Sequence, residues 1–236
     1  MKVVILTGSS PRHGFMRKAI ALDERIEVLG SYCEGLERNI RHVIDPDEPG
    51  SDIQLAHIAA RERSEEDFFA PFVALTPDFS NPKRIRKGDI NTLHNAEGIQ
   101  ALAPDLLVAY GCSLIREPLL SAFAGRFLNL HLGLSPYYRG AGTNFWPLVN
   151  NEPEYVGATF MHIDAGVDTG RIVHQLRARV HPGDTPHQIG NRLIADAARA
   201  YIDIIAGFDR LYLIDRLTRN VIAIDADTGK VTDSGA

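Results

Sequence analysis

The stretch KVVILTGSSPRHGFMRKAIALDERIEVLGSYC, residues 2–33, reads as the opening unit of an open α/β sheet. KVVILT (2–7) is a continuous apolar run rich in β-branched residues, closed by Gly8, Ser9, Ser10 and Pro11. That is the pattern of a strand buried on both faces and running into a loop. A helix over Phe15 to Leu22 and a second strand, IEVLGSYC, follow. Strand, loop, helix and strand in that order predict a doubly wound, Rossmann-like, mostly parallel twisted sheet with helices on both faces.

Further along, the pattern lapses and resumes. From 45 to 98 turn-rich DPDEPGSD, helix-like LAHIAARERSEEDFFAPFV and irregular TPDFSNPKR read as an irregular insertion over the sheet. A helix near Asn91 to Leu102 precedes the strand DLLVAYG (105–111) and helix-like SLIREPLLSAFAG. Next come the strand FLNLHL, a short helix in TNFWPLVNN, the strands VGATFMHID and GRIVHQLRARV, and a long amphipathic helix, TPHQIGNRLIADAARAYIDIIAGF. The tail predicts a β-hairpin turning at Asp227, Thr228 and Gly229. The expected organisation is a catalytic domain over 1–206 and a short C-terminal extension over 207–236.

Composition narrows the function classes. A 44% hydrophobic fraction over 236 residues supports a sizeable core. With 25 Lys and Arg against 30 Asp and Glu, the formal charge is −5, which disfavours a nucleic-acid partner. Cys33 and Cys112 stand far apart in apolar contexts and read as buried small residues. MKVVILTGSS is too short for a secretory core, and no apolar run reaches about 18 residues, so a soluble cytoplasmic protein with no membrane partner is expected.

The chemistry concentrates in two segments. In FLNLHLGLSPYYRGAG (127–142) strand periodicity turns Asn129 and His131 to one face. An amide N–H can stabilise charge developing on a carbonyl oxygen, and an imidazole can exchange a proton near neutrality. The small residues and glycines of LGLSPYYRGAG let the chain turn away and open the strand end as a site. In HIDAGVDTGRIVHQ (162–175) Asp168 sits in a glycine-flanked loop that can meet the pair. A satisfied loop amide, a core histidine and a solvated turn carboxylate are the structural alternatives. His131, His162, Asp164, Asp168 and His174 match no compact metal-ligand spacing, so no metal is expected. After the first strand, Gly8, Ser9 and Ser10 with Arg12 and His13 can hold an anion, or form a plain strand-to-helix turn. Lys83, Arg84, Arg86 and Lys87 read as a solvated charge run.

The block FLNLHLGLSPYYRGAG…NNEPEYVGATFMHIDAGVDTGRIVHQ resembles the core of the folate-dependent formyltransferases, a family that includes the glycinamide ribonucleotide, methionyl-tRNA and sugar N-formyltransferases. The resemblance is close over about residues 100 to 176 and looser over 1 to 205. It implies that Asn129, His131 and Asp168 form the catalytic triad. It also implies that Cys112, Ser113, Leu114, Ile115 and Arg116, with Asp164, Ala165, Gly166 and Val167, surround the pterin of 10-formyltetrahydrofolate. Asn129 and protonated His131 would stabilise the tetrahedral oxyanion, and Asp168 would hold the imidazolium and relay protons.

Three departures bear on the acceptor. Leu132 and Gly133 replace the purine enzyme's serine position, YYRG with Arg139 is closer to the tRNA and sugar members, and GTNFWPLVN resembles the sugar members' short helix. A tail of about thirty residues, together with the negative charge, argues against tRNA. The expected acceptor is a small primary amine, foremost a nucleotide-linked amino sugar, met by Ser9, Ser10, Arg12, Tyr138, Arg139 and Trp146. Glycinamide ribonucleotide or an amino acid derivative is the nearer alternative, and a non-catalytic folate-binding protein the more distant one. A homodimer stays open beside a monomer.

Overall fold

The computed structural model describes residues 1–36 and 50–208 in full, and the backbone of 210–214, 221–225 and 231–234. The chain opens as β1 (Lys2–Thr7), α1 (Pro11–Ala21), β2 (Glu27–Glu34), α2 (Ser51–Leu75) and β3 (Pro82–Ile85). It continues through a 3₁₀ turn at Asp89–Asn91, α3 (Leu93–Ala101), β4 (Leu106–Tyr110), α4 (Leu119–Ala122), β5 (Phe127–His131) and α5 (Trp146–Val149). A second 3₁₀ turn at Pro153–Tyr155 leads to β6 (Gly157–His162), β7 (Ile172–Arg177) and α6 (Pro186–Ala206). The last strands are β8 (Arg210–Ile214), β9 (Val221–Asp225) and β10 (Val231–Ser234).

The first seven strands form one sheet in the order β3-β2-β1-β4-β5-β6-β7. β3, β2, β1, β4 and β5 are parallel, and β6 and β7 close the far side antiparallel. Alternation along β1 builds two cores. Val3 and Ile5 pack with Met16, Ile20, Phe69, Leu193 and Tyr201 of α1, α2 and α6. Val4 and Leu6 pack on the other face with Ile90, Ala96, Ile99 and Leu119. The Tyr201 hydroxyl, buried beneath the sheet, lies 3.1 Å from the carbonyls of both Ala109 and Leu128 and so ties α6 to β4 and β5. α6 is started by Thr185, whose hydroxyl accepts from the Gln188 N–H while the Gln188 side chain accepts from the Thr185 N–H.

β1 sits between β2 and β4, so successive crossovers leave it in opposite directions. At such a switch point the loops beyond the strand ends diverge and leave a crevice. The first turn of α1 and the loops after β4 and β5 border it.

Several expectations are corrected. The segment 45–98 is no irregular insertion, since its described part supplies a 25-residue helix, an edge strand and α3. Good helix formers such as those of ARERSEED let α2 bury Ile58, Glu65 and Phe69 along one face. β3 reads as loop because it is polar and starts with proline, yet its backbone pairs with β2 from Ser31↔Pro82 to Glu34↔Ile85. Charged residues and a leading proline suit an edge strand. α1 begins at Pro11 rather than Phe15, with Ser10 as its N-cap. The stretch 113–125 holds only four α-helical residues, because backbone groups before Pro118 are taken by a side chain from outside. The C-terminal extension is a three-stranded antiparallel sheet, β10-β9-β8, rather than a lone hairpin. The predicted turn at Asp227, Thr228 and Gly229 lies outside the described residues. Among the described residues no helix is long and apolar enough to cross a membrane.

Candidate active site

The crevice at the strand ends is a cleft of about 710 Å³. On β5, Leu128 and Leu130 turn into the core beside α6, which leaves Asn129 and His131 facing the cleft. His131 is 7% exposed. Its Nδ1 lies 3.3 Å from Asp168 Oδ2, and its Nε2 lies 3.0 Å from the carbonyl oxygen of Tyr138. Each ring nitrogen therefore faces an acceptor, which an imidazolium satisfies on both sides and a neutral ring on one. Asp168 Oδ2 also accepts the Gly140 N–H at 2.9 Å. Asn129 is half-buried, and among the described residues its side chain has no hydrogen-bond partner.

The turn after β5 does more than step aside. Tyr138 contributes its carbonyl and Gly140 its N–H, so SPYYRGAG grips both members of the His131 and Asp168 pair. Gly133 leaves the ring room, since a Cβ there would stand 2.5 Å from His131 Nε2. Asp168 itself has φ 51°, a left-handed conformation that Asp tolerates better than most residues. Its loop is pinned by Asp164, whose Oδ1 accepts from the Gly166 N–H at 3.0 Å and the Thr169 hydroxyl at 2.6 Å.

The loop after β4 is held from behind. Buried Glu34 accepts the Ser113 N–H at 2.6 Å and the Gly88 N–H at 2.8 Å, with Lys87 Nζ at 3.4 Å. Asn91 donates to the Leu114 carbonyl at 2.9 Å and accepts the Arg116 N–H at 2.7 Å. Burial, then the Glu34 carboxylate, pushes the Cys112 thiol up to about 12, so it is no nucleophile near neutrality.

Of the residues singled out in the sequence, Asn129, His131, Asp168, Cys112, Ser113, Leu114, Ile115, Asp164, Gly166, Val167 and Arg12 line this one cleft. Ser9, Ser10, Arg116, Ala165, Tyr138, Arg139 and Trp146 do not. Ser10 is turned to His13, with its hydroxyl 2.7 Å from Nδ1. The Tyr138 hydroxyl points away to Glu152 and Asn150. Trp146 packs against Phe145 at 5.6 Å between ring centroids and is half exposed.

Sequence reasoning missed the wall supplied by α2 and α6. His57, Arg61 and Glu65 from α2 and His187 and Asn191 from α6 line the cleft, with Asn144 and Phe145. The His57 ring lies 4.9 Å from that of His187 and 4.6 Å from that of Phe145. Glu65 is buried between Arg12 at 3.0 Å and Arg61 at 3.7 Å. No local motif marks these residues, because two distant helices bring them together. Among the described residues no group of three or more His, Cys, Asp or Glu is placed to hold a metal ion.

Residues 56–205 match a family model described as formyl transferase. A methionyl-tRNA formyltransferase of Solibacter usitatus is 30% identical over 137 residues, 58% of this chain and 42% of that protein. The chain thus spans less than half the length of the curated relatives it matches. A phosphoribosylglycinamide formyltransferase from Anaplasma phagocytophilum superposes with a TM-score of 0.62 at 15% identity, covering 100% of this chain and 95% of that one. A sugar N-formyltransferase from a Shewanella species gives 0.55 at 18% identity, covering 87% and 68%. At such identities these two structures share the fold.

Proposed function

The chain belongs to the formyl transferase family, and from that premise we propose that it moves a formyl group from 10-formyltetrahydrofolate to a primary amine, foremost that of a nucleotide-linked amino sugar. The observation carrying this reading is the His131 and Asp168 pair, 3.3 Å apart, beside the unpartnered amide of Asn129. Asn129 then donates an N–H to a carbonyl oxygen as negative charge grows on it. Asp168 Oδ2, 3.3 Å from His131 Nδ1, orients the ring at the strand end for proton exchange with the reacting groups.

The folate fits the loops after β4 and β6. Leu114 and Val167 are 44% and 53% exposed, and both line the cleft with buried Ile115. Exposed apolar side chains inside a crevice suit the face of a flat heterocycle. Glu34 and Asn91 keep the first of these loops in place from behind. When bound, the folate supplies the reactive formyl carbon. Residues 1–206 serve as the catalytic unit, and 207–236 as an appendage to it.

The methionyl-tRNA formyltransferases among the relatives favour a second acceptor class, an aminoacylated tRNA. Incubation with 10-formyltetrahydrofolate and a panel of amines, methionyl-tRNA and amino sugar nucleotides included, separates the two by tetrahydrofolate release. Release dependent on an amino sugar nucleotide supports the first reading. Release only with methionyl-tRNA replaces it with the second, release without any amine indicates a hydrolase, and no release under any condition overturns formyl transfer.

A further inference from the structure

Strand register sets His131 opposite Thr159 and Thr159 opposite Gln175, so the three stand in one row across β5, β6 and β7. Residues paired in this way share a face of the sheet. Thr159 is fully buried, and its hydroxyl offers one donor and two acceptor positions. All three are taken. The hydroxyl donates to the Gly133 carbonyl at 2.6 Å, and it accepts the Ser135 N–H at 3.1 Å and an N–H of Gln175 Nε2 at 3.1 Å. Gln175 Nε2 also donates to the Ser135 carbonyl at 2.7 Å. Two side chains thus hold three backbone groups of the turn after β5. A valine has nearly the shape of Thr159 and suits a strand as well, so what the threonine adds is its hydroxyl.

The held segment leads directly to the His131 and Asp168 pair. Beside Ser135, the Leu134 carbonyl accepts the Tyr138 N–H at 3.0 Å. That fixes Tyr138, whose own carbonyl lies 3.0 Å from His131 Nε2. A carbonyl only accepts, so Nε2 presents a proton to it. Two residues on, Gly140 donates to Asp168 Oδ2 at 2.9 Å. The far end of the turn is tied back to β6, where Asn144 Oδ1 accepts the Gly157 N–H at 3.0 Å.

We propose that Thr159 and Gln175 are positioning residues for the reaction, holding the turn 133–140 so that it in turn holds His131 and Asp168. Neither lines the cleft, so their effect reaches the chemistry through the histidine. The inference rests on the formyl-transfer reading for what the pair does, and on the hydrogen bonds alone for what holds it in place.

The test compares Thr159→Val, Thr159→Ser and Gln175→Leu with the parent, with rates expressed per folded molecule from circular dichroism and urea titration. Thr159→Val is expected to lower kcat about tenfold or more, with KM for the formyl donor within about twofold. Thr159→Ser keeps the hydroxyl and is expected to stay within about threefold of the parent, with Gln175→Leu between the two. Gln175 is exposed on the edge strand β7, so its replacement leaves the core intact whatever Thr159→Val does. A second readout uses the full chain labelled with ¹⁵N-histidine and free of ligands. There the His131 Nε2–H signal, assigned by its loss in His131→Ala, is expected to exchange with water about tenfold faster in Thr159→Val. Parent-like kcat and ring-proton exchange in the folded variants, or a loss of stability alone, overturn the positioning role. A fall in kcat without a change at the ring proton overturns it too, because the effect then bypasses His131. Absence of turnover in the parent with any amine counts against formyl transfer, while the ring-proton comparison still decides what holds the histidine.

Discussion

His131 Nδ1 lies 3.3 Å from Asp168 Oδ2, joining the end of β5 to a loop between β6 and β7. Gly140 donates to the same carboxylate oxygen, so the acid is oriented before any ligand arrives. His131→Ala and Asp168→Asn are each expected to lower turnover by at least ~10², with folate affinity nearly unchanged, because proton movement rather than a ground-state contact is lost. Steady-state rates paired with equilibrium folate titration check this. Turnover like that of the parent in either variant removes the pair from the chemistry.

Gly133 carries a second expectation. A methyl group there would meet His131 Nε2 at 2.5 Å and Thr143 Cβ at 2.7 Å, so the ring or the loop must move. Gly133→Ala is expected to cost about 1–3 kcal/mol of stability, as overpacking does, and to reduce turnover on the order of 10² by displacing the imidazole. Chemical denaturation and kinetics on the same preparation separate the two effects.

Asn91 holds the loop after β4 by hydrogen bonds to the Leu114 carbonyl and from the Arg116 N–H. Asn91→Ala frees both groups, and the expected result is a KM for the formyl donor raised about tenfold with kcat within about twofold. A fall in kcat with KM unchanged contradicts a positioning role. Glu34→Gln is the harsher companion. It removes the charge that meets Lys87 but keeps an oxygen for one of the two N–H donors.

The sheet was legible because its strands are buried on both faces and declare themselves as apolar runs, as KVVILT and LLVAY do. β3 was not, since an edge strand is defined by the partner its backbone finds rather than by its side chains. The pairing of Asn129 with His131 follows from strand periodicity. The contact with Asp168 depends on loop geometry that no local pattern specifies. His57, Arg61, Glu65 and His187 were illegible for a related reason, as each sits in an ordinary helical context and gains meaning only where α2 and α6 converge.

The buried neutral state of His13 has a thermodynamic consequence. Its pKa in the folded chain lies well below the usual value, because of burial first and then Arg12, Lys87, Arg17 and Arg61. The unfolded chain takes up this proton below about pH 6.5 and the folded chain does not. Stability is therefore full above that pH and declines as pH falls through it, by up to about 1.4 kcal/mol per pH unit for this one group. His162 and His187 are shifted the same way, by burial and then by Arg171 in one case and by His57 and Arg61 in the other. They remain in both proteins when His13→Phe is compared with the parent, so the difference isolates His13. Urea unfolding at about pH 7.5, 6.5 and 5.5, in a buffer free of phosphate and carboxylates, is expected to give a shallower loss in His13→Phe, by close to one proton's worth. Parallel curves would mean that His13 titrates alike in the folded and unfolded chains, and the buried neutral state would go with that result.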